Sequence, residues 1–142
     1  MIQRIQTVWL LLAGAAGVLM HRLPLWQHMA ANQSVYTRFF ASENLLMFLM
    51  LAAASLTAFV SVFLFRNRGL QKSLTLLGTL LSVGLLAWEF FKVEEMKREL
   101  APVRNMWQPG ALMPVAMIVF FLLAHGAIRR DEKLIRSLDR LR

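Results

Sequence analysis

Cysteine is absent from this chain of 142 residues. Its absence excludes disulfide bonds, thiolate metal sites, c-type haem attachment and a cysteine nucleophile. The sequence also lacks a glycine-rich phosphate loop, a His-x-x-x-His pair and a Ser/His/Asp arrangement. We interpret His125 and the nine scattered methionines as packing or interfacial residues, because a copper site would need such side chains in clusters. The sequence therefore predicts a protein that is not an enzyme and that holds no cofactor and no metal.

Charged residues are also scarce, at 17% of the chain, whereas 58% of the residues are hydrophobic. A soluble domain of this size cannot bury so much apolar surface, but a lipid bilayer can accept it. The formal net charge is nevertheless +8, from 16 Lys and Arg against 8 Asp and Glu. In so apolar a chain, anionic lipid headgroups and the positive-inside rule explain this excess better than nucleic acid does.

The hydrophobic residues are concentrated in four runs. Each run approaches the roughly 20 residues that a helix needs to cross the hydrocarbon core of a bilayer. We therefore predict an all-α fold, a four-helix transmembrane bundle that forms a single integral membrane domain over residues 1–142. The predicted spans are approximately 7–26, 45–65, 74–91 and 111–128, followed by a tail over residues 129–142.

Lysine and arginine are distributed unevenly between the two sides of such a bundle. With the N-terminus in the cytoplasm, ten of them lie on the inner side and six on the outer side. Cytoplasmic segments carry the excess of Lys and Arg in membrane proteins. We therefore predict that both termini face the cytoplasm, N-in and C-in, with the tail on the cytoplasmic side.

The tail has the pattern of a basic amphipathic helix. Such a helix could lie on the anionic inner leaflet, or its leucine stripe could dock onto a membrane-protein partner. The simpler alternative is a stop-transfer cluster that only sets topology. Nucleic acid is disfavoured, because the tail has no aromatic residues for base stacking. The candidate lipid-contact and partner-contact residues are Arg129, Arg130, Asp131, Glu132, Lys133, Leu134, Arg136, Leu138, Asp139 and Arg140.

Small residues recur at helical spacing in three of the predicted spans. They are Ala13 and Gly17, then Ala54, Ala58 and Ser61, then Thr75, Gly78 and Ser82. Apolar surface alone gives helices in lipid no reason to associate, whereas small residues allow close packing between them. The stripes therefore predict a compact bundle in preference to four independent anchors.

One acidic residue falls on such a stripe. Glu89 follows Ser82 by seven residues, almost two helical turns, and His21 stands at the same outer end of the first span. A carboxylate near a membrane end is either paired inward or turned toward the interface. We therefore hypothesise that His21 and Glu89 form a buried polar pair; the alternative is that both side chains sit in interfacial water.

Three segments together resemble a known family. They are residues 1–13, the motif Trp107-x-Pro109-Gly110-x-x-x-Pro114, and residues 127–142, in which Asp-Glu-Lys-Leu is followed by Arg-Ser-x-Asp-Arg-Leu-Arg. They resemble the bacterial membrane-protein family called domain of unknown function 4293, typical of Bacteroidetes. The resemblance covers the whole chain and implies a small four-helix protein of the bacterial inner membrane. It implies no activity, because the family is named for lacking one.

These observations favour a non-enzymatic structural or accessory subunit. We expect it to contact a membrane-protein partner or a second copy of itself through the small-residue helix faces and the basic tail. Acidic residues interleaved in the tail support a contact surface, since a stop-transfer signal needs positive charge alone. The alternative is a carrier or binder of a lipid or small hydrophobic molecule, which predicts an apolar intrabundle cavity lined by Ser61, Thr75, Thr79 and Ser82.

Overall fold

The structure is a computed structural model that describes residues 5–30 and 34–139, with side chains as far as residue 133. Within these ranges four α-helices are each long and apolar enough to cross a membrane. They are α1 (Ile5–Arg22), α2 (Leu45–Phe63), α3 (Arg68–Leu100) and α4 (Met113–Asp139). By length and composition, the predicted four spanning helices are therefore confirmed, and the chain has the character of a membrane protein.

Each helix packs against the helix that precedes it and the one that follows it, and α4 packs against α1. The helices therefore form a closed ring in cross-section. Only residues 64–67 separate α2 from α3, which suffices for a tight helical hairpin. Asn67 caps the start of α3, because its side-chain oxygen accepts a hydrogen bond from the backbone N–H of Leu70 at 3.2 Å.

The small-residue stripes face the interior of this ring, as a compact bundle requires. Their buried members include Ala13, Ala54, Ala58, Ser61, Thr75 and Ser82. Aromatic rings occupy the space that the glycines leave: Phe121 lies against Gly78, and Phe59 lies against Gly14. These faces are therefore used for packing within the chain.

A small antiparallel sheet lies at one end of the bundle, which we call the sheet end. Its strands are β1 (Trp26–Met29), β2 (Thr37–Phe39) and β3 (Arg104–Trp107), in the order β2-β1-β3. The all-α prediction missed this sheet. The strands hold only three or four residues each, too few to show a periodic pattern, and they pair only because the bundle brings two separate connections to the same end.

The opposite end, which we call the hairpin end, carries the α2–α3 turn and the last turns of α4. Here α4 runs without a break from the predicted fourth span into the predicted tail, as far as Asp139. The tail is thus a continuation of α4 in its described part, while Arg140 and residues 141–142 lie outside the described residues. At the sheet end, α1 stops at Arg22 instead of continuing to Trp26, because Pro24 cannot donate a helical hydrogen bond.

Candidate functional site

Glu89 is a buried carboxylate in the interior stripe of α3. Its side chain is 1% exposed, and neither carboxylate oxygen has a hydrogen-bond partner among the residues that the structure describes. The hydroxyls of Thr75 and Ser82 on this stripe instead donate to carbonyls of their own helix, at 2.8 Å in each case. An acceptor buried without a donor carries an uncompensated desolvation cost. Glu89 therefore differs from Thr75 and Ser82.

A groove of about 560 Å³ opens beside Glu89, between α3 and the segment that leads from β3 into α4. We call it the Glu89 groove. It is lined by Leu86, Glu89, Phe90, Trp107, Gln108, Pro109, Ala111, Leu112 and Val115. Glu89 is the one ionisable residue of this set. Phe90, Trp107, Leu112 and Val115 are all exposed, so the groove opens sideways on the surface that a bilayer would cover.

The wall opposite α3 is attached to the end of α1. The backbone N–H of Gln108 donates to the Leu25 carbonyl at 3.0 Å, and that of Gly110 donates to the Pro24 carbonyl at 3.1 Å. A Cβ at Gly110 would overlap the backbone oxygens of Leu23 and Pro24. Glycine at this position therefore lets the segment after β3 approach the end of α1 closely enough to form the groove.

Aromatic rings define the mouth of the groove. The Phe90 and Trp107 rings are stacked, with centroids 6.2 Å apart and planes at 11°. The Lys97 ammonium lies 5.5 Å from the centroid of the Trp107 ring, within the range of a cation–π contact. The same side of the protein thus combines apolar walls, an aromatic pair and a buried carboxylate.

The predicted buried pair of His21 and Glu89 is not formed. His21 is exposed, its ring centroid lies 5.9 Å from that of Phe48 in α2, and Glu89 has no hydrogen bond in the described part of the chain. The sequence pattern predicts a first span as far as residue 26, with His21 on the side of Ala13 and Gly17. His21 lies in the last turn of α1, which ends at Arg22, and its exposed side chain lies beside α2 and not beside α3.

A different histidine is buried at the sheet end. His28 is 7% exposed, and its ring stacks on Trp26 with centroids 4.7 Å apart. Its Nδ1 atom and the indole Nε1 of Trp26 have no partner within the described ranges. His28 was not predicted as a site residue because it lies in a polar connection between two spans. Its burial becomes visible only in the structure, where β1 lies between β2 and β3.

The hairpin end holds a second group of charged residues, formed by α3 and α4. The Lys72 ammonium donates to the Glu132 carboxylate at 2.6 Å, and the Thr75 hydroxyl lies 3.2 Å from Nδ1 of His125. Lys72 and Glu132, with Arg129, Arg130 and Lys133, border a cavity of about 350 Å³. We call these five residues the hairpin-end cluster.

The predicted tail contacts are only partly described. Arg129, Arg130 and Lys133 are exposed, whereas Asp131 and Glu132 are half-buried. The remaining candidates lie outside the residues whose side chains are described, namely Leu134, Arg136, Leu138, Asp139 and Arg140. The structure therefore brings Glu132 and four basic residues together at the base of the tail.

The cavity predicted among small polar residues of the spans coincides neither with the Glu89 groove nor with the cavity beside the hairpin-end cluster. Ser61, Thr75 and Ser82 are fully buried, and Thr79 donates to the Thr75 carbonyl of its own helix at 2.8 Å. The Phe121 ring fills the space beside this stripe. Among the described residues, no group of three His, Cys, Asp or Glu could hold a metal ion.

Comparison with known proteins identifies one match. The family model described as "Domain of unknown function (DUF4293)" matches residues 2–141 of the chain. No curated protein and no solved structure matches the chain. The match covers the four helices, the sheet and both candidate sites, and it assigns no chemistry to any of them.

Proposed function

This chain belongs to the family of the domain of unknown function DUF4293, and on that premise we propose that it is a non-enzymatic accessory protein of the bacterial inner membrane. Its contact surface is the hairpin-end cluster together with the tail that continues from α4. The observation that carries the proposal is the Lys72–Glu132 ion pair. It ties the base of the tail to α3, so that charged residues are presented on a fixed helix and not on a free terminal segment.

The charge distribution supports an orientation with this end in the cytoplasm. The hairpin end carries Arg66, Arg68 and Lys72 beside the exposed basic residues of α4, whereas the larger group of acidic residues, Glu94, Glu95 and Glu99, lies toward the sheet end of α3. The excess of Lys and Arg favours the cytoplasmic side. Anionic lipids of the inner leaflet would then surround the exposed arginines.

The occupant of this surface is a membrane-protein partner or a second copy of the chain. The acidic residues Asp131 and Glu132 are interleaved with the basic ones, which suits a protein surface with both signs of charge better than a lipid layer alone. The small-residue faces are buried within the bundle. The contact is therefore assigned to the hairpin end alone, in contrast to the expectation from sequence that small-residue faces would take part.

The experiment that tests this proposal is purification of the full chain in native nanodiscs, with mass spectrometry of the proteins that remain bound. The test variant is Arg129→Glu with Arg130→Glu, and the matched control is Arg98→Glu with Arg104→Glu at the sheet end. All four arginines are exposed, so neither variant removes a buried side chain. We expect a stoichiometric partner or dimer that is lost in the test variant and kept in the control.

Two outcomes would contradict the proposal. One is that the bound partner survives the reversal of charge at both Arg129 and Arg130. The other is that no protein is retained and the chain is monomeric in every variant. Binding of a small hydrophobic molecule is a second candidate function, and the Glu89 groove at the opposite end favours it.

A further inference from the structure

We propose that the Glu89 groove binds an amphiphile whose polar head is a protonated amine and whose hydrocarbon chain lies along the apolar walls. The site faces the membrane leaflet at the sheet end, opposite the hairpin-end cluster. It deepens the second candidate function by naming the ligand chemistry, and it does not depend on the partner contact. A failure of either proposal therefore leaves the other intact.

The carboxylate of Glu89 defines the polar group of the ligand. Both of its oxygens are buried and have no donor in the described part of the protein, although such groups are normally satisfied. An ammonium group has up to three donors and the opposite charge. It can therefore bond to both oxygens, and charge-assisted bonds of this kind are about twice as strong as neutral ones.

The aromatic residues at the mouth favour the same kind of head. Phe90 and Trp107 present stacked rings beside the groove, and ring faces attract cations. An ionised carboxylate head has no N–H or O–H group to donate, and it would leave both oxygens of Glu89 without a hydrogen bond.

The walls define the rest of the ligand. Apart from Glu89 and Gln108, every residue that lines the groove is apolar, and the volume of about 560 Å³ lies within the range of about 300–1,000 Å³ found for small-molecule sites. A single hydrocarbon chain fits the open side of the groove, where Leu112 and Val115 are exposed.

Native mass spectrometry of the full chain in mild detergent tests the proposal. The probes are hexadecylamine, hexadecanol and hexadecanoic acid, which share one tail and differ in the head. We expect the amine to bind at least about tenfold more tightly than the alcohol or the acid, as a hydrogen bond to a charged group implies. Glu89→Gln keeps the shape of the side chain and should abolish this preference, whereas Glu99→Gln, an exposed carboxylate of the same helix, should keep it.

Two tryptophan substitutions test where the amine binds without changing the charge of the protein. Val115→Trp narrows the groove and should weaken amine binding at least about tenfold. Val119→Trp places the same bulk one turn further along α4, outside the lining residues, and should leave binding unchanged. The two valines are 43% and 46% exposed, so both variants should fold. A melting curve of each variant checks this.

Whether the purified protein retains a lipid identifies the source of the ligand. A retained lipid with an amine head, displaced by hexadecylamine, would identify the membrane as the source. A protein that is purified without lipid and then binds the added amine would indicate a free amphiphile. Equal binding of the three probes, unchanged amine binding in Glu89→Gln, or a partner polypeptide crosslinked at residue 115 would each overturn the proposal.

Discussion

The ammonium of Lys72 in α3 lies 2.6 Å from the carboxylate of Glu132 in α4, although 60 residues separate them in the chain. This ion pair joins α3 to α4 at the hairpin end. It stands at the point where α4 passes from the bundle into the tail. The side chains are 30% and 24% exposed, so water screens the pair and its position matters more than its energy.

The Lys72–Glu132 pair should make a small contribution to stability and a larger one to the order of the tail. Lys72→Met should lower the free energy of unfolding by no more than about 1 kcal/mol, as for other partly exposed pairs, and should speed proteolysis between residues 129 and 139. Thermal melts and limited chymotrypsin digestion, which cleaves after leucine and not at the substituted residues, measure the two effects.

The double variant Lys72→Glu with Glu132→Lys provides the control, because it restores opposite charges at the same positions. It should recover most of the resistance to chymotrypsin that Lys72→Glu and Glu132→Lys each lose. Equal cleavage rates in the wild type, the single variants and the double variant would show that the pair does not hold the tail.

The stability of the protein should be sensitive to a single methyl group added at Gly110. Gly110→Ala places a Cβ against the backbone oxygens of Leu23 and Pro24, which cannot move aside as a flexible side chain can. We expect a loss of about 1–3 kcal/mol in the free energy of unfolding, the usual range for overpacking, together with weaker binding in the groove that this segment encloses. Chemical denaturation in detergent measures the first effect.

Gly126 provides a matched control for that measurement. It lies in α4, and a Cβ there would meet nothing within 4 Å. Gly126→Ala should therefore be neutral or stabilise the protein by up to about 1 kcal/mol, since alanine favours helix over glycine. Similar losses at the two positions would contradict the close approach inferred at Gly110.

Ala101 ends α3 in a left-handed conformation, with φ of 39°. Its backbone N–H donates to the Lys97 carbonyl at 3.1 Å, as in a helix C-cap that usually contains glycine. Ala101→Gly should raise the free energy of unfolding by about 1 kcal/mol, because a side chain in this region costs about 1–2 kcal/mol. The melting temperature measures the gain.

The opposite result is expected at a regular helical position. Ala52 is exposed within α2, and Ala52→Gly should lower the free energy of unfolding by about 1 kcal/mol, because glycine is the poorer helix former. If both substitutions change stability in the same direction, the assignment of a left-handed cap at Ala101 is wrong.

The spanning helices could be predicted from composition because the requirement is local. A segment crosses hydrocarbon if about 20 neighbouring residues are apolar, and α2 meets this condition without one charged residue. The small-residue stripes could be predicted in the same way, since residues four apart in a helix, such as Ala54 and Ala58, lie on the same face. Their burial in the bundle follows from the same periodicity.

The candidate sites depended on contacts that no local pattern contains. Glu89 was correctly predicted on the inner stripe of α3, but its predicted partner His21 is exposed and lies beside Phe48 of α2. The groove itself combines α3 with residues 107–115. Its existence depends on the approach of Gly110 to Pro24, which joins segments far apart in the chain.

The sequence by itself therefore determined that the chain has four segments long and apolar enough to cross a membrane, since the cost of placing polar groups in lipid acts on each segment separately. Only the tertiary structure decided the sheet, the Lys72–Glu132 pair and the environment of Glu89. Each of these depends on which segments meet at an end of the bundle. That outcome is set by packing and hydrogen bonding between segments, and the residues of one segment alone do not specify it.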